Sequence, residues 1–276
     1  MYGQDTSNVG TEIPVQTTDD SMDIYNMDLE SLMNMNIEVT VASKKAEKIS
    51  DAPGMVTVHT KNDMENYGYY TLKDLANITS GYSTFSAFGE TNMETRGQKA
   101  GSWNVSKHLL LVDGIPMNHS RANSAPLENQ MSLYFADRVE FLKGPGSALY
   151  GTSAFYGVMS VTPKSLKDNG SMGESKISFG DLGQSTRVMA NALKKDDIGE
   201  MRISGSLYKK NFSGDSLGTT NNGIFHFNND NSIFLNTAYK FTDTKLKGLG
   251  VGLVYMRRNS HAGEFWGATP SPVNEV

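Results

Sequence analysis

Residues 138–164 read RVEFLKGPGSALYGTSAFYGVMSVTPK, and the fold turns on how this stretch alternates between apolar runs and tight turns. Arg138-Val139-Glu140-Phe141-Leu142 has the composition of a strand, and Gly144-Pro145-Gly146 stops it because a proline flanked by glycines cannot continue a sheet ladder. Tyr156 to Val161 predicts another strand, stopped by Pro163. Between them, Gly144 to Gly151 invites a nucleotide-loop reading. It lacks the Lys-Ser/Thr pair of a phosphate loop, and Leu149 fills the third glycine position of a dinucleotide fingerprint. A tight turn inside a packed core is the better description.

Working back toward the N-terminus, Leu109-Leu110-Leu111-Val112 is a short continuous apolar run ending in Asp113-Gly114, which predicts a buried strand feeding a turn. Leu72, Leu75 and Ile78 share one side of a helix over 71–78, with Gly81 as a stop. Met55 to His59 predicts a strand. Ile37-Glu38-Val39-Thr40-Val41 alternates, placing Ile37, Val39 and Val41 on one face of an extended segment. Residues 1 to about 30 are polar and acidic and read as a flexible tail, with one helical turn at 28–33. The stretch 37–170 therefore reads as a compact α+β domain.

After about residue 173 the pattern becomes long alternating strands joined by polar turns. Met201, Ile203 and Leu207 oppose Arg202, Ser204 and Ser206; Ile233, Leu235, Tyr239 and Phe241 oppose Asn236 and Lys240; Leu249, Val251, Leu253 and Tyr255 oppose Gly248, Gly250 and Gly252. Segments 174–180 and 185–195 are weaker examples. Such strands approach the roughly 9–11 residues that cross a bilayer when tilted. Links at 196–199 and 243–244 are short, whereas 212–231 and the segment after Arg258 are long and polar. That asymmetry is typical of outer-membrane barrels, and 181–183 is its exception.

The bulk numbers are compatible with this. The chain has 276 residues, a formal net charge of -5 and no cysteine. Its pI is about 5.6 and its mean hydropathy -0.42. Scattered basic residues exclude nucleic acid as the main partner, and no run of about 18 apolar residues supplies a spanning helix. The start, Met1 to Asp5, has no basic region followed by an apolar core, so either the protein stays in the cytoplasm or this is a mature, recombinant or truncated form, and the rest of the chain favours the second. No nucleophile-elbow or zincin pattern occurs, so no catalytic residue, metal site or cofactor is expected. Asn228-Asn229-Asp230-Asn231-Ser232 is oxygen-rich but lacks the glycine and distal Glu of an EF-hand loop. Met117 and His119 suggest soft-metal capture only weakly in a chain with 15 methionines.

Several blocks, in order, resemble the plug domain of TonB-dependent outer-membrane receptors: IEVTVAS at 37–43, DAPGMVTVHT at 51–60, TLKDLANITSGY at 71–82, Thr95-Arg96-Gly97, LLLVDGIPMN at 109–118, and the 138–164 stretch. Lys143 stands where the family often has Arg, and Thr95 where Ile or Val is usual. The resemblance implies an α+β plug domain followed by antiparallel β strands of an incomplete transmembrane β-barrel. Residues 1–36 form the tail, 37–170 the plug with a TonB-box-like segment at 37–42, and 171–276 about five barrel strands. Plugged barrels of this type close at about 22 strands, so a fragment is expected.

It also implies a role and partners. Ile37, Glu38, Val39, Thr40 and Val41 would pair with a TonB-like periplasmic energy-coupling protein by strand addition. Loops Thr84 to Met93 and Met117 to Gln130, with Phe85, Phe88, Asn92, Asn118, His119, Arg121 and Asn123, would face the cell exterior and touch a small-molecule or metal-chelate ligand. Arg96 and Lys143 would meet barrel-wall carboxylates in strands beyond this chain. The barrel would sit in outer-membrane lipid of a bacterium, and the activity would be gated uptake of a scarce nutrient such as a siderophore, haem or cobalamin. A soluble periplasmic or surface binding domain that reuses the plug fold is the rival; in that case the apolar strand faces must be covered by protein.

Overall fold

The computed structural model describes residues 38–87, 90–97, 107–119, 123–180, 184–211, 216–220, 223–226, 228–242, 245–262 and 271–275. Ile37, Phe88, Arg121 and the 28–33 turn lie outside them.

The N-terminal part begins with a short ladder, β1 (Glu38–Val39) against β2 (Glu47–Lys48). Next come β3 (Met55–Thr60), α1 (Lys61–Tyr67), α2 (Leu72–Ile78), the hairpin β4 (Tyr82–Ala87) and β5 (Glu90–Thr95), then β6 (His108–Val112) and β7 (Ile115–Pro116). A 3₁₀ turn at Leu133–Phe135 leads into β8 (Ala136–Lys143), α3 (Ser147–Tyr150) and β9 (Gly157–Pro163). Five of these strands form one sheet in the order β3-β8-β9-β6-β7. The β6–β9 pair is parallel and the others antiparallel.

Alternation along these strands gives the sheet two apolar faces. Val139 and Phe141 of β8, Leu110 and Val112 of β6, and Met159 and Val161 of β9 pack with Leu72 and Leu75 of α2. Leu142, Leu109, Leu111 and Val158 pack on the opposite side with Val41, Ala42 and Ala154. Both α1 and α2 start with a threonine capping box, Thr60 with Asp63 and Thr71 with Asp74. Each box satisfies amides that a helix start leaves orphaned.

The glycine-rich stretch is required by close approach. A Cβ on Gly157 would lie 2.3 Å from the Tyr82 hydroxyl and 2.8 Å from the Leu142 carbonyl, and one on Gly146 would lie 2.7 Å from Val158. The segment is a packed turn, with the Gly146 amide donating to Ala154 at 2.8 Å.

The C-terminal part is a six-stranded antiparallel sheet, called here the wall. It comprises β10 (Gly170–Gly180), β11 (Ser185–Lys195), β12 (Gly199–Lys210), β15 (Asn228–Phe241), β16 (Gly250–Ala262) and β17 (Ser271–Glu275). Between β12 and β15 lies a separate hairpin, β13 (Ser216–Thr220) with β14 (Gly223–His226). The wall thus has six described strands where the pattern predicted five, and the predicted 212–231 loop contains a hairpin and the start of β15. The β15–β16 connection is also longer than expected, since β16 begins at Gly250 and Leu249 instead accepts from the Phe241 amide at 3.0 Å.

Candidate functional site

The wall is built inside out for a water-soluble sheet. Register joins Ile177, Val188, Leu207 and Ile233 in one row that continues to the exposed Arg257, and Ala192, Ile203, Thr237 and Leu253 in another, all on the face turned away from the N-terminal domain. That face is open: Ile177 is 61% exposed, Leu207 56%, Val251 67% and Leu253 59%. Thr186, Lys209, Asn231 and Asn259 bound the band at one end, and Lys194 joins the row at the other. From Leu207 back to Gly199 the strand runs about 27 Å, or roughly 20 Å of bilayer depth at a tilt near 45°.

The other face is covered, and it sets polar rows between buried apolar residues such as Met189, Leu193 and Phe234. Glu174, Asn191, Ser204 and Asn236 make one row, and Arg187, Tyr208, Ser232 and Arg258 another. Asn191 and Arg187 are buried although they carry full polar heads. Groups of that kind persist in an interior only when paired, and their partners come from the N-terminal domain. Glu174 accepts from Lys61 at 3.3 Å and from Asn191 at 2.7 Å, and also binds Lys164. Burial works against the charge on Lys61, yet Glu174 and Glu65 carry its pKa above the ordinary lysine value.

A second junction lies nearer the long connections. Arg187 donates to Asn129 at 2.6 Å, and its guanidinium sits 4.9 Å from the Tyr70 ring centre and 4.7 Å from that of Tyr208. This is cation–π geometry on both sides. Asn129 in turn donates to Asp230 at 3.2 Å, which pairs with Arg258 at 3.3 Å. Arg202 reaches Asp113 at 2.5 Å, Ser165 donates to Glu200 at 2.9 Å, and Phe135 meets Phe234 with ring centres 5.2 Å apart. Sequence reading assigned none of these residues to a junction. The usable signal was parity: Glu174, Arg187, Glu200, Arg202, Asp230 and Arg258 share one face, while Lys194, Lys209 and Arg257 are exposed on the other, and a face carrying that many charges needs a partner.

The segment expected to couple is not loose in this structure. Val39 and Val41 are fully buried, and the Thr40 and Val41 amides each donate to the Glu140 carboxylate at 2.8 Å. Glu38 is exposed.

The two candidate ligand loops come together. Thr91, Asn92 and Met93 from one and Ser124, Ala125 and Leu127 from the other line a small cavity with His108. Glu128 bonds Thr91 and accepts from Lys73 at 2.9 Å. Burial opposes ionisation of Glu128, but the Thr91 hydroxyl, Arg258 and Lys73 together hold its pKa below the ordinary carboxylate value. The stretch around Thr84 to Met93 is a hairpin, with Phe85 paired to Asn92 in β4–β5. Asn118 has a structural role: it accepts from the Leu110 amide at 2.8 Å and donates to the His108 and Asn123 carbonyls at 2.9 and 2.8 Å. Asn123 has φ at 53°, and its amide donates to the His119 carbonyl at 2.6 Å. Arg96, at φ 55°, points its guanidinium to Met55, which is the strand partner of Lys143. The two cations thus share one edge of the domain, and among the described residues neither has a carboxylate partner.

Fold and interface together define a plug seated against the polar face of a membrane-type β wall. The plug is of a known kind: residues 48–158 match the TonB-dependent Receptor Plug Domain family, and the chain therefore carries that plug, followed by antiparallel strands of the receptors' barrel. A vitamin B12 transporter, BtuB, of Vibrio cholerae is 26% identical over 213 residues, covering 75% of this chain and 33% of the relative. BtuB of Vibrio vulnificus is 29% identical over 139 residues, covering 49% and 22%. Among solved structures, the pyoverdine outer membrane receptor FpvA of Pseudomonas aeruginosa superposes with a TM-score of 0.64 at 19% identity, covering 81% of this chain and 30% of that one. The ferric yersiniabactin uptake receptor FyuA of Yersinia pestis gives 0.58 at 19%, covering 76% and 32%. The chain thus spans about a third of the length of these relatives.

Proposed function

We propose that the protein is a bacterial outer-membrane receptor that takes up a scarce nutrient by gated transport, with the plug closing the pore and a periplasmic TonB-like protein supplying the force. The observation that carries this reading is the wall's inverted pattern, apolar outward and charged toward the plug. A water-soluble sheet has no reason to expose a band of Ile, Val and Leu while burying Arg187 and Asn191. The soluble binding-domain reading is disfavoured for the same reason, since among the described residues no protein face covers the band.

The expected ligand class comes from what the similar proteins are named for, vitamin B12 for BtuB, pyoverdine for FpvA and ferric yersiniabactin for FyuA. Glu128 and Asn129 of the second loop face Arg258 and Asp230, next to the long connections, and a ligand settling on that side would touch His119, Asn92 and Phe85. A siderophore chelate, haem or a cobalamin would be the cargo. Residues 37–41 would then pair with the coupling protein, and Arg96 and Lys143 would meet carboxylates elsewhere on the barrel.

Uptake tests the proposal. Cells producing the protein as their sole receptor of this kind are given labelled ferric siderophores, haem and cobalamin. One of these is expected to accumulate, and a proton-gradient uncoupler is expected to stop accumulation while leaving surface binding. Accumulation unaffected by the uncoupler would overturn the coupled mechanism.

A further inference from the structure

We propose that Glu140 is a latch that holds residues 38–42 in the resting plug, and that opening it limits how readily the segment reaches its coupling partner. The proposal rests on the reading of 37–41 as the coupling segment.

Glu140 sits in the middle of β8, where Val139 and Phe141 turn to one face of the sheet and Glu140 and Leu142 to the other. Its side chain is fully buried. A carboxylate in that position needs partners for its lone pairs. Arg138 donates to one oxygen at 2.9 Å. The other oxygen receives both the Thr40 and Val41 amides at 2.8 Å, and the Thr40 hydroxyl lies 3.3 Å from the first. Two successive backbone amides converging on one oxygen make an anion cradle. Tyr150 completes the clasp by donating to the Val41 carbonyl at 3.0 Å.

The remaining attachments are slight in the hydrogen-bonding sense. The β1–β2 ladder joins only Glu38 to Lys48 and Val39 to Glu47. A partner that adds a strand to this segment needs its main-chain donors, and Glu140 occupies two of them. Docking on Glu140 and pairing with a partner therefore compete for the same amides. Release also strands the carboxylate with Arg138 alone and uncovers Leu109, Leu111 and Leu142, which Val41 and Ala42 shield. The latch thus favours the closed state until something else takes up the amides.

The chain has no native cysteine, so a single thiol reports local opening. Ala42→Cys places one under the clasp, and Ala76→Cys places another in the separate helix-side core as a monitor of global unfolding. Maleimide labelling is measured in the full chain, in the background of Glu140→Gln and of Tyr150→Phe, with no partner present. Labelling at position 42 is expected to accelerate on the order of tenfold in Glu140→Gln, equivalent to about 1.4 kcal/mol in the opening equilibrium. A smaller acceleration is expected in Tyr150→Phe, with position 76 protected in both. Unchanged labelling at position 42 in both variants overturns the latch. If Glu140→Gln exposes both positions, Tyr150→Phe decides, because it removes one hydroxyl and no buried charge. A second arm measures binding of the coupling protein's periplasmic domain, expected to tighten in Glu140→Gln. Faster labelling without any binding supports the latch and removes the coupling reading instead.

Discussion

His108 opens an apolar strand, and burial decides its chemistry. It is 5% exposed and its pKa is pushed down to about 4 by loss of hydration. Its folded-state pKa lies below the unfolded value of about 6.5, so the folded state binds fewer protons as pH falls and loses stability between those limits. The plug is expected to weaken by about 3 kcal/mol between pH 6.5 and 4 on account of this residue, and His108→Gln should flatten that part of a denaturant-unfolding series against pH. A slope that persists in the variant assigns the effect elsewhere. Glu128 acts in a lower window: its pKa is depressed, so its contribution holds above the ordinary carboxylate value and is lost on further acidification. Asn118 carries a second residue-scale prediction. Its amide pairs the Leu110 amide and the His108 carbonyl, so Asn118→Ala should lower stability by about 1–3 kcal/mol, the cost of unpaired buried backbone groups. Loss of ligand affinity with unchanged stability would instead make Asn118 a ligand contact. In sequence Asn118 looks like any polar loop residue, because the groups it satisfies are set by the β6–β7 turn and carry no signature of their own.

The elements differ in how legible they are, and the reasons are physical. Strands β3, β6, β8 and β9 could be read from composition because both faces of their sheet are apolar, and α2 because Leu72 and Leu75 recur at helical spacing over a threonine cap. The helix α1 was missed: Met64 is its one buried residue, so it has almost no apolar stripe, and the Thr60–Asp63 box defines it instead. The β4–β5 hairpin reads as a loop because it is rich in Ser and Thr and pairs only with itself. Glycines at the core turn read as turn-formers, but the structure makes Gly157 a contact residue. Gly157→Ala would drive a methyl into the Tyr82 hydroxyl, which donates to Leu142 at 2.7 Å. A loss of about 2–3 kcal/mol is expected from overpacking and the disturbed bond. Tyr82→Phe in the same chain should recover part of it, since it clears the nearer of the two clashes. Additive losses in the double variant would mean that the two residues do not meet.

At the scale of the whole molecule, alternation in the wall fixes two faces but is silent on which one meets the plug. That choice depends on side chains 100 residues apart in sequence, such as Lys61 with Glu174 and Asn129 with Asp230. The choice also yields the sharpest test of the membrane reading, because Ile203 and Ser204 are neighbours in β12 and face opposite media. Ile203 lies in the middle of the open band, level with Ala192, Thr237 and Leu253, whereas Ser204 is buried toward the plug. Arginine at position 203 would sit near the centre of the hydrocarbon, where it costs roughly 2–4 kcal/mol in outer-membrane barrels. At Lys209, on the polar boundary of the band, a change to Met should alter membrane stability by at most about 1 kcal/mol. The comparison is made on the protein folded in bilayer vesicles, by denaturant unfolding of Ile203→Arg, Lys209→Met and the parent. A steep loss at 203 with little change at 209 is expected. In a water-soluble sheet the ordering inverts: Ile203 would already face solvent, arginine there would be neutral or would aid solubility, and the protein would remain in the aqueous phase without lipid.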